Sequence, residues 1–270
     1  MDEQEKALTG EIKMRKLKDF SDGNPTTRNI LNVSSIFVGV LVWFLITLIP
    51  SINTFLASPQ QVISALGQEV QAGRYFKDIW ASLQRVLVGF IVALACAIPV
   101  SFLMGWYPKV RALIDPWIQF FRTIPPIALI PLVILAMGLS EMAKYTIIFI
   151  AVFLVSVVTI YQGIREVDKT LVKAAYTFGA RDINIFLSVM IPAAFPFILV
   201  AARLGIATAL TTLIASEMTG ATYGLGARIT SAQQFMNVSV VLLGIITIGI
   251  IGFILDRVLL FVEKKLTKWK

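Results

Sequence analysis

Apolar positions in this chain collect into long runs separated by short polar stretches. A helix needs about 20 residues to cross roughly 30 Å of hydrocarbon at about 1.5 Å per residue. Runs of that kind predict six spans, at residues 30–50, 83–104, 117–138, 143–163, 189–215 and 238–262. The third is the least regular, because Pro125, Pro126 and Pro131 interrupt it; proline is tolerated in a span where neighbouring helices or a wet cavity satisfy the freed carbonyls. The fold class expected is all-α, a polytopic membrane protein of six transmembrane helices. The connection over residues 51–82 holds a further helical stretch at 59–71, beginning after Ser58 as its N-cap. There is no internal repeat.

The polar stretch over residues 164–188 carries a finer pattern. Asp168 is placed to cap a helix running to Phe178, with Leu171, Val172, Ala175 and Phe178 on one face. Gly179 ends that helix by taking up the left-handed conformation. Asp182 is placed to cap a second helix bearing Ile183, Phe186, Leu187 and Met190 and running toward Pro192. Two short helices meeting at a turn make a knob, kept thin by Ala174 and Ala175. From the residues alone, two readings stand: a knob that enters a groove on another protein, or an interfacial linker that covers the bundle.

Composition and charge narrow the class. Apolar residues are 57% of the chain and charged residues 15%, too little polar surface for a soluble domain. The net charge of +8 follows the membrane rather than nucleic acid. Lys and Arg gather in the first 28 residues, at Lys109, Arg111 and Arg122, at Arg165, Lys169, Lys173 and Arg181, and in the last 14 residues. Arg74, Lys77, Lys144 and Arg228 fall on the other side. By the positive-inside bias both termini are cytoplasmic. Residues 1–29 lack an apolar core, so they read as a basic cytoplasmic tail rather than a cleaved signal; residues 30–263 form the membrane domain and 264–270 a second tail.

Histidine is absent and Cys96 is the single cysteine. This excludes internal disulfides, Cys/His zinc sites and histidine-dependent triads, and no catalytic residue or metal site is expected. No glycine is followed by Lys-Ser or Lys-Thr, so the chain has no Walker phosphate loop. Carboxylates are missing from the span centres: Asp115 and Asp256 lie near inner ends and Glu217 near the outer end of the fifth span. A proton-driven carrier is disfavoured, while a sodium- or substrate-driven one stays open.

The knob resembles the "EAA" loop of permease subunits of binding-protein-dependent ABC importers, through Lys173-Ala174-Ala175, then Gly179-Ala180, then Phe186, Val189, Pro192 and Pro196. One departure is that Lys173 stands where the family has glutamate. Ser82–Phe90 resembles the opening of the permease core, and Phe121–Leu132 followed by Gly138–Lys144 resembles the nitrate/sulfonate/taurine branch. So do Ala201–Gly205, Ile214–Met218, Tyr223–Gly226 and Leu255–Arg257.

The resemblance implies a type I importer permease in a bacterial cytoplasmic (inner) membrane, with cytoplasmic coupling helices. It implies a homodimer or paired permease, two ATPase subunits that hold ATP and Mg, and a periplasmic or lipid-anchored substrate-binding protein. The chain itself would hold no cofactor and be no enzyme. The ATPase would meet Lys173, Ala174, Ala175, Phe178, Gly179, Ala180, Asp182 and Phe186. The cargo implied is a small oxidised anion (nitrate, a sulfonate such as taurine, or bicarbonate). A heterocyclic nutrient such as a thiamine precursor, or a stand-alone secondary carrier, remains the alternative.

Polar residues of the fifth span are the candidates for the path. Arg203 could line it for an anion or pair between helices. Thr208, Thr211, Thr212 and Ser216 form a hydroxyl stripe that lines the path or bonds within and between helices. Glu217 could contact the binding protein or an arginine, or act as a cap. Arg85 is expected to snorkel to the outer surface, and Glu141 with Lys144 to form an exposed pair.

Overall fold

The structure, a computed structural model, describes residues 25–266; residues 1–24 and 267–270 of the expected tails lie outside the described residues. The chain divides into two compact units, before and after Pro59–Gln60. The first contains α1 (Pro25–Thr47) and the short α2 (Pro50–Asn53). Within it, the Trp43 indole donates to the Ala57 carbonyl at 3.1 Å, which ties the end of the span to the segment that follows.

The second unit opens with α3 (Pro59–Gln71), where the pattern placed it, and continues into α4 (Tyr75–Trp106). At about 1.5 Å per residue, the 32 residues of α4 measure about 48 Å. The expected span 83–104 therefore starts too late: the helix begins two turns earlier, where Asp78 and Ser82 are buried and have hydrogen-bonding partners.

The third span needs the larger correction. It is two helices, α5 (Pro108–Phe121) and α6 (Ile130–Met137), joined through a 3₁₀ turn at Pro126–Leu129 and bent by 86°. Pro125 and Pro126 cause the break, because a residue before proline is driven out of the α region and proline donates no amide hydrogen. Pro125 itself sits at ψ 126°.

α7 (Glu141–Glu166) begins at the Ser140 cap, whose hydroxyl accepts from the Ala143 amide. The chain then passes through α8 (Lys169–Thr177), α9 (Asp182–Ile185) and a π turn at Phe186–Met190 into α10 (Ile191–Gly220). α11 (Leu225–Gln234) and α12 (Val238–Leu266) complete the fold. The described residues contain helix, turn and loop, with no strand among them.

α4, α7 and α10 form the centre. Val86, Phe90 and Ala93 meet Ile148 and Val152 of α7 and Ala202, Ile206, Ala209 and Leu213 of α10. Small residues let these backbones approach closely; a Cβ at Gly163 would fall into the Phe197 ring. Two further apolar clusters extend this core toward the α8–α9 end, one around Ile160 and Met190, the other around Met104 and Tyr161. α12 packs on α10 and α11.

Candidate functional site

Three places concentrate chemistry: the two ends of the central helices and a cavity between them. At the end where α4 starts and α10 finishes, Glu217 is 1% exposed. Its carboxylate accepts from Arg85 Nη1 at 2.7 Å, from the Ser82 hydroxyl at 2.8 Å and from the Gly226 amide at 2.8 Å. Arg85, 4% exposed, grips Glu141 with Nε at 2.6 Å and Nη2 at 2.8 Å, a two-toothed arrangement suited to its planar fork. Its Nη1 also donates to the Tyr223 carbonyl. Lys144, buried, donates to Glu141 at 2.7 Å.

Asp78 extends the network. It accepts from the Gly224 amide at 3.0 Å and from Arg228 Nε at 2.9 Å, while Ser82 accepts from the Leu225 amide. Arg228 also lies 3.6 Å from Glu69, which pairs with Arg74. These links sew the turn between α10 and α11 onto α4 and α7. The turn needs glycine at 224: its φ is +125°, and a Cβ there would overlap the Glu217 carboxylate.

Two expectations are corrected here. Arg85 does not snorkel outward, because two carboxylates hold it in the interior. Glu141 and Lys144 are not a lone exposed pair: Lys144 is buried, and the Glu141 that it bonds is also gripped by Arg85. The signal that could have found this hub is the pair itself, a cation and an anion each alone near the same end of an apolar span.

The opposite end carries the knob. The Asp168 carboxylate accepts from the Thr170 amide at 2.8 Å, capping α8 as expected. That backbone bond, with the Thr170 hydroxyl, holds the Asp168 carboxyl below the usual carboxylate range. α8 closes in a Schellman turn: Gly179, at φ +76°, donates to the Tyr176 carbonyl, and Ala180 to that of Ala175.

Asp182 does not cap the second helix. Arg181 occupies the cap position without a side-chain bond, and the Asp182 carboxylate instead accepts from the Tyr176 hydroxyl at 2.8 Å, across the turn. The expected single face of α8 is divided as well. Val172 packs inward on the cluster around Ile160 and Met190, whereas Leu171, Ala174 and Phe178 are exposed, Phe178 to 89%. Lys173 is also exposed, Ala175 and Ala180 are half-buried, and Phe186 packs edge-on against Phe102 and Trp106 of α4.

The polar residues of α10 separate. Thr212 and Ser216 are buried, Ser216 donating to the Leu213 carbonyl. Thr211 is exposed and bonds its own helix at Ala207. Arg203 pairs with Asp256 of α12 at 3.1 Å and lies 3.9 Å from Glu263. Thr208 alone of the stripe faces a cavity of about 320 Å³, lined by Arg122 and Ile124 at the break of the third span, and by Ala151, Leu154, Val158 and Thr159 of α7. Among the described residues no cluster of acidic or cysteine side chains could hold a metal ion.

Comparison with known proteins gives this architecture its place. Residues 81–268 match the family described as binding-protein-dependent transport system inner membrane component. The chain belongs to that family.

The permease is 45% identical over 240 residues to a probable ABC transporter permease protein of Brucella abortus (strain 2308), spanning 89% of this chain and 95% of that one. It is 33% identical over 252 residues to the taurine transport system permease protein TauC of Escherichia coli (strain K12), spanning 91% and 92%. A solved structure of the inward facing MetNI methionine ABC transporter shares the fold at TM-score 0.60 and 20% identity, covering 74% of this chain and 99% of that one.

Taurine, aliphatic sulfonate and nitrate permeases among its relatives put the permease in that branch. It is a membrane-spanning transport component of an importer, and hydrolysis of ATP belongs to a separate subunit. Its partners are an ATPase and a substrate-binding protein.

Proposed function

We infer that the permease carries a small oxidised anion inward by alternating access, with energy entering through residues 168–187. The observation that carries this is the exposed row Leu171, Ala174 and Phe178, spaced i, i+3, i+7 on a capped helix. Apolar anchors at that spacing suit a helix laid into a groove on a partner. The charge bias puts the knob, and both termini, on the cytoplasmic side, where an ATPase would be.

In this reading two permease copies sit on two ATPase subunits. ATP-driven closure of the ATPases draws the knobs together and opens the path to the binding protein, and hydrolysis returns it inward. The anionic cargo is supported by the branch. Affinity capture in mild detergent, followed by reconstitution into liposomes with the recovered proteins, tests it. Uptake of taurine or nitrate that needs both ATP and the binding protein is expected. Flux by the chain alone would replace the reading with an autonomous carrier.

A further inference from the structure

Arg85, Arg203 and Arg122 each lie on or at the end of an apolar helix, and of these three only the first two have carboxylate partners. Arg85 is held by Glu141 and Glu217, and Arg203 by Asp256. Arg122 ends α5 at the 86° break, lines the cavity, and has no acidic partner among the described residues. The cavity lies beside the middle of the central helices: Ala151 and Thr159 bracket the middle of α7, and Thr208 is near the middle of α10. A cation at that level is costly unless it faces water or a counter-charge.

The rest of the wall leaves the task to Arg122. Ile124, Leu154, Val155 and Val158 are apolar. The two hydroxyls already donate to their own helix, Thr159 to Val155 at 2.8 Å and Thr208 to Leu204 at 2.9 Å. Arg122 is exposed at the cavity, and its guanidinium offers five donors in a plane that matches two oxygens of an oxyanion. The volume is within the range of small-molecule sites.

We propose that Arg122, not Arg203, is the anion-recognising residue of the path, binding a sulfonate or nitrate group through two of its oxygens in this cavity. The proposal rests on the importer reading above and names the residue that selects its cargo. Arg203, neutralised by Asp256, is assigned to holding α10 against α12.

The test uses the permease reconstituted with its ATPase and binding protein, and labelled taurine and nitrate as probes. Arg122→Gln is expected to lower uptake at least tenfold while the complex still assembles and hydrolyses ATP. Arg122→Lys, which keeps charge without the fork, should retain part of it. Phenylglyoxal labelling of the wild-type permease gives a second reading that needs no variant: methanesulfonate or nitrate should protect Arg122 and leave Arg203 labelling unchanged. Wild-type uptake of either anion, undiminished in Arg122→Gln, overturns this proposal and leaves the importer reading standing. An intact wild-type complex that takes up neither anion overturns both. Should Arg122→Gln fail to assemble, absence of protection in the wild type overturns the proposal by itself.

Discussion

The two ends of α10 are built on opposite rules. At the Glu217 end, buried charges all have partners, and the following turn is fastened by backbone amides as well. At the knob end, side chains such as Leu171 and Phe178 point away from the bundle, the polar bonds are local (a cap, a Schellman turn and one Tyr176–Asp182 bond), and apolar contacts of Val172 and Phe186 hold the knob to the bundle. About 45 Å of helix separates them, from the 30 residues of α10 at about 1.5 Å each. The difference teaches which end can change partners. A buried ionic hub does not slide, since breaking one pair leaves its mate uncompensated in a low dielectric. A locally folded knob exchanges solvent for a partner's surface without disturbing the core.

The largest expected effect comes from attacking the held end. Glu217→Ala leaves the Arg85 fork with Glu141 alone and strips the Gly226 amide of its partner, a loss of about 3–5 kcal/mol. The detergent-purified permease should show a sharply lower Tm and yield, and Glu217→Gln, which keeps an acceptor, a smaller drop. An unchanged Tm in Glu217→Ala would end the contrast between the two ends.

Gly179→Val should be smaller and of another kind. A β-branched residue in the left-handed region costs about 1–2 kcal/mol, but the cost is confined to the knob. Tm should hardly move, while ATPase activity stimulated by the binding protein should fall severalfold. Full stimulation in this variant would remove the knob from the coupling role.

The smallest effect is a pH dependence. The Asp168 carboxyl titrates lower in the folded knob than in an open chain, so its contribution is present above the unfolded value and is lost as pH falls through the folded one. Protection of the Thr170 amide from hydrogen exchange, taken relative to its intrinsic rate at each pH, should therefore fall on acidification into that range, and Asp168→Ala should abolish the change. Equal pH response in both would show that another group controls the cap.

What was legible in the sequence was local or depended on length. Five spans and α3 follow from run length and period, and the Gly179 turn from a left-handed position that favours glycine. Membership of the permease family followed from ordered motifs. Lone charges at the same ends of the spans hinted at the hub, but their pairing was not legible, because the partners lie far apart in the chain: Arg85 meets Glu141 56 residues on and Glu217 132 residues on. A hydropathy window treats each of them only as a blemish in a span. Pro125 and Pro126 announced an interruption in the third span, but its 86° depends on what α7 and α10 leave room for. Arg203 carries two readings, lining the path or pairing between helices, and the sequence could not name the mate, Asp256 of α12, 53 residues on. Arg122 read only as one more loop charge, because a hydropathy window does not show the bend that brings it to a cavity beside α7 and α10.

The π turn at Phe186–Met190 sets a phase. An i→i+5 turn holds one residue more than an α turn, and each residue of α-helix is worth about 100° of rotation and about 1.5 Å of advance. Removing a single residue there would restore plain α-helix and swing the whole knob by about 100° around the α10 axis. Leu171, Ala174 and Phe178 would then face a different direction with every bond of their own turn intact. The permease thus carries a spacer of one residue whose length, rather than its chemistry, aims the knob at whatever receives it.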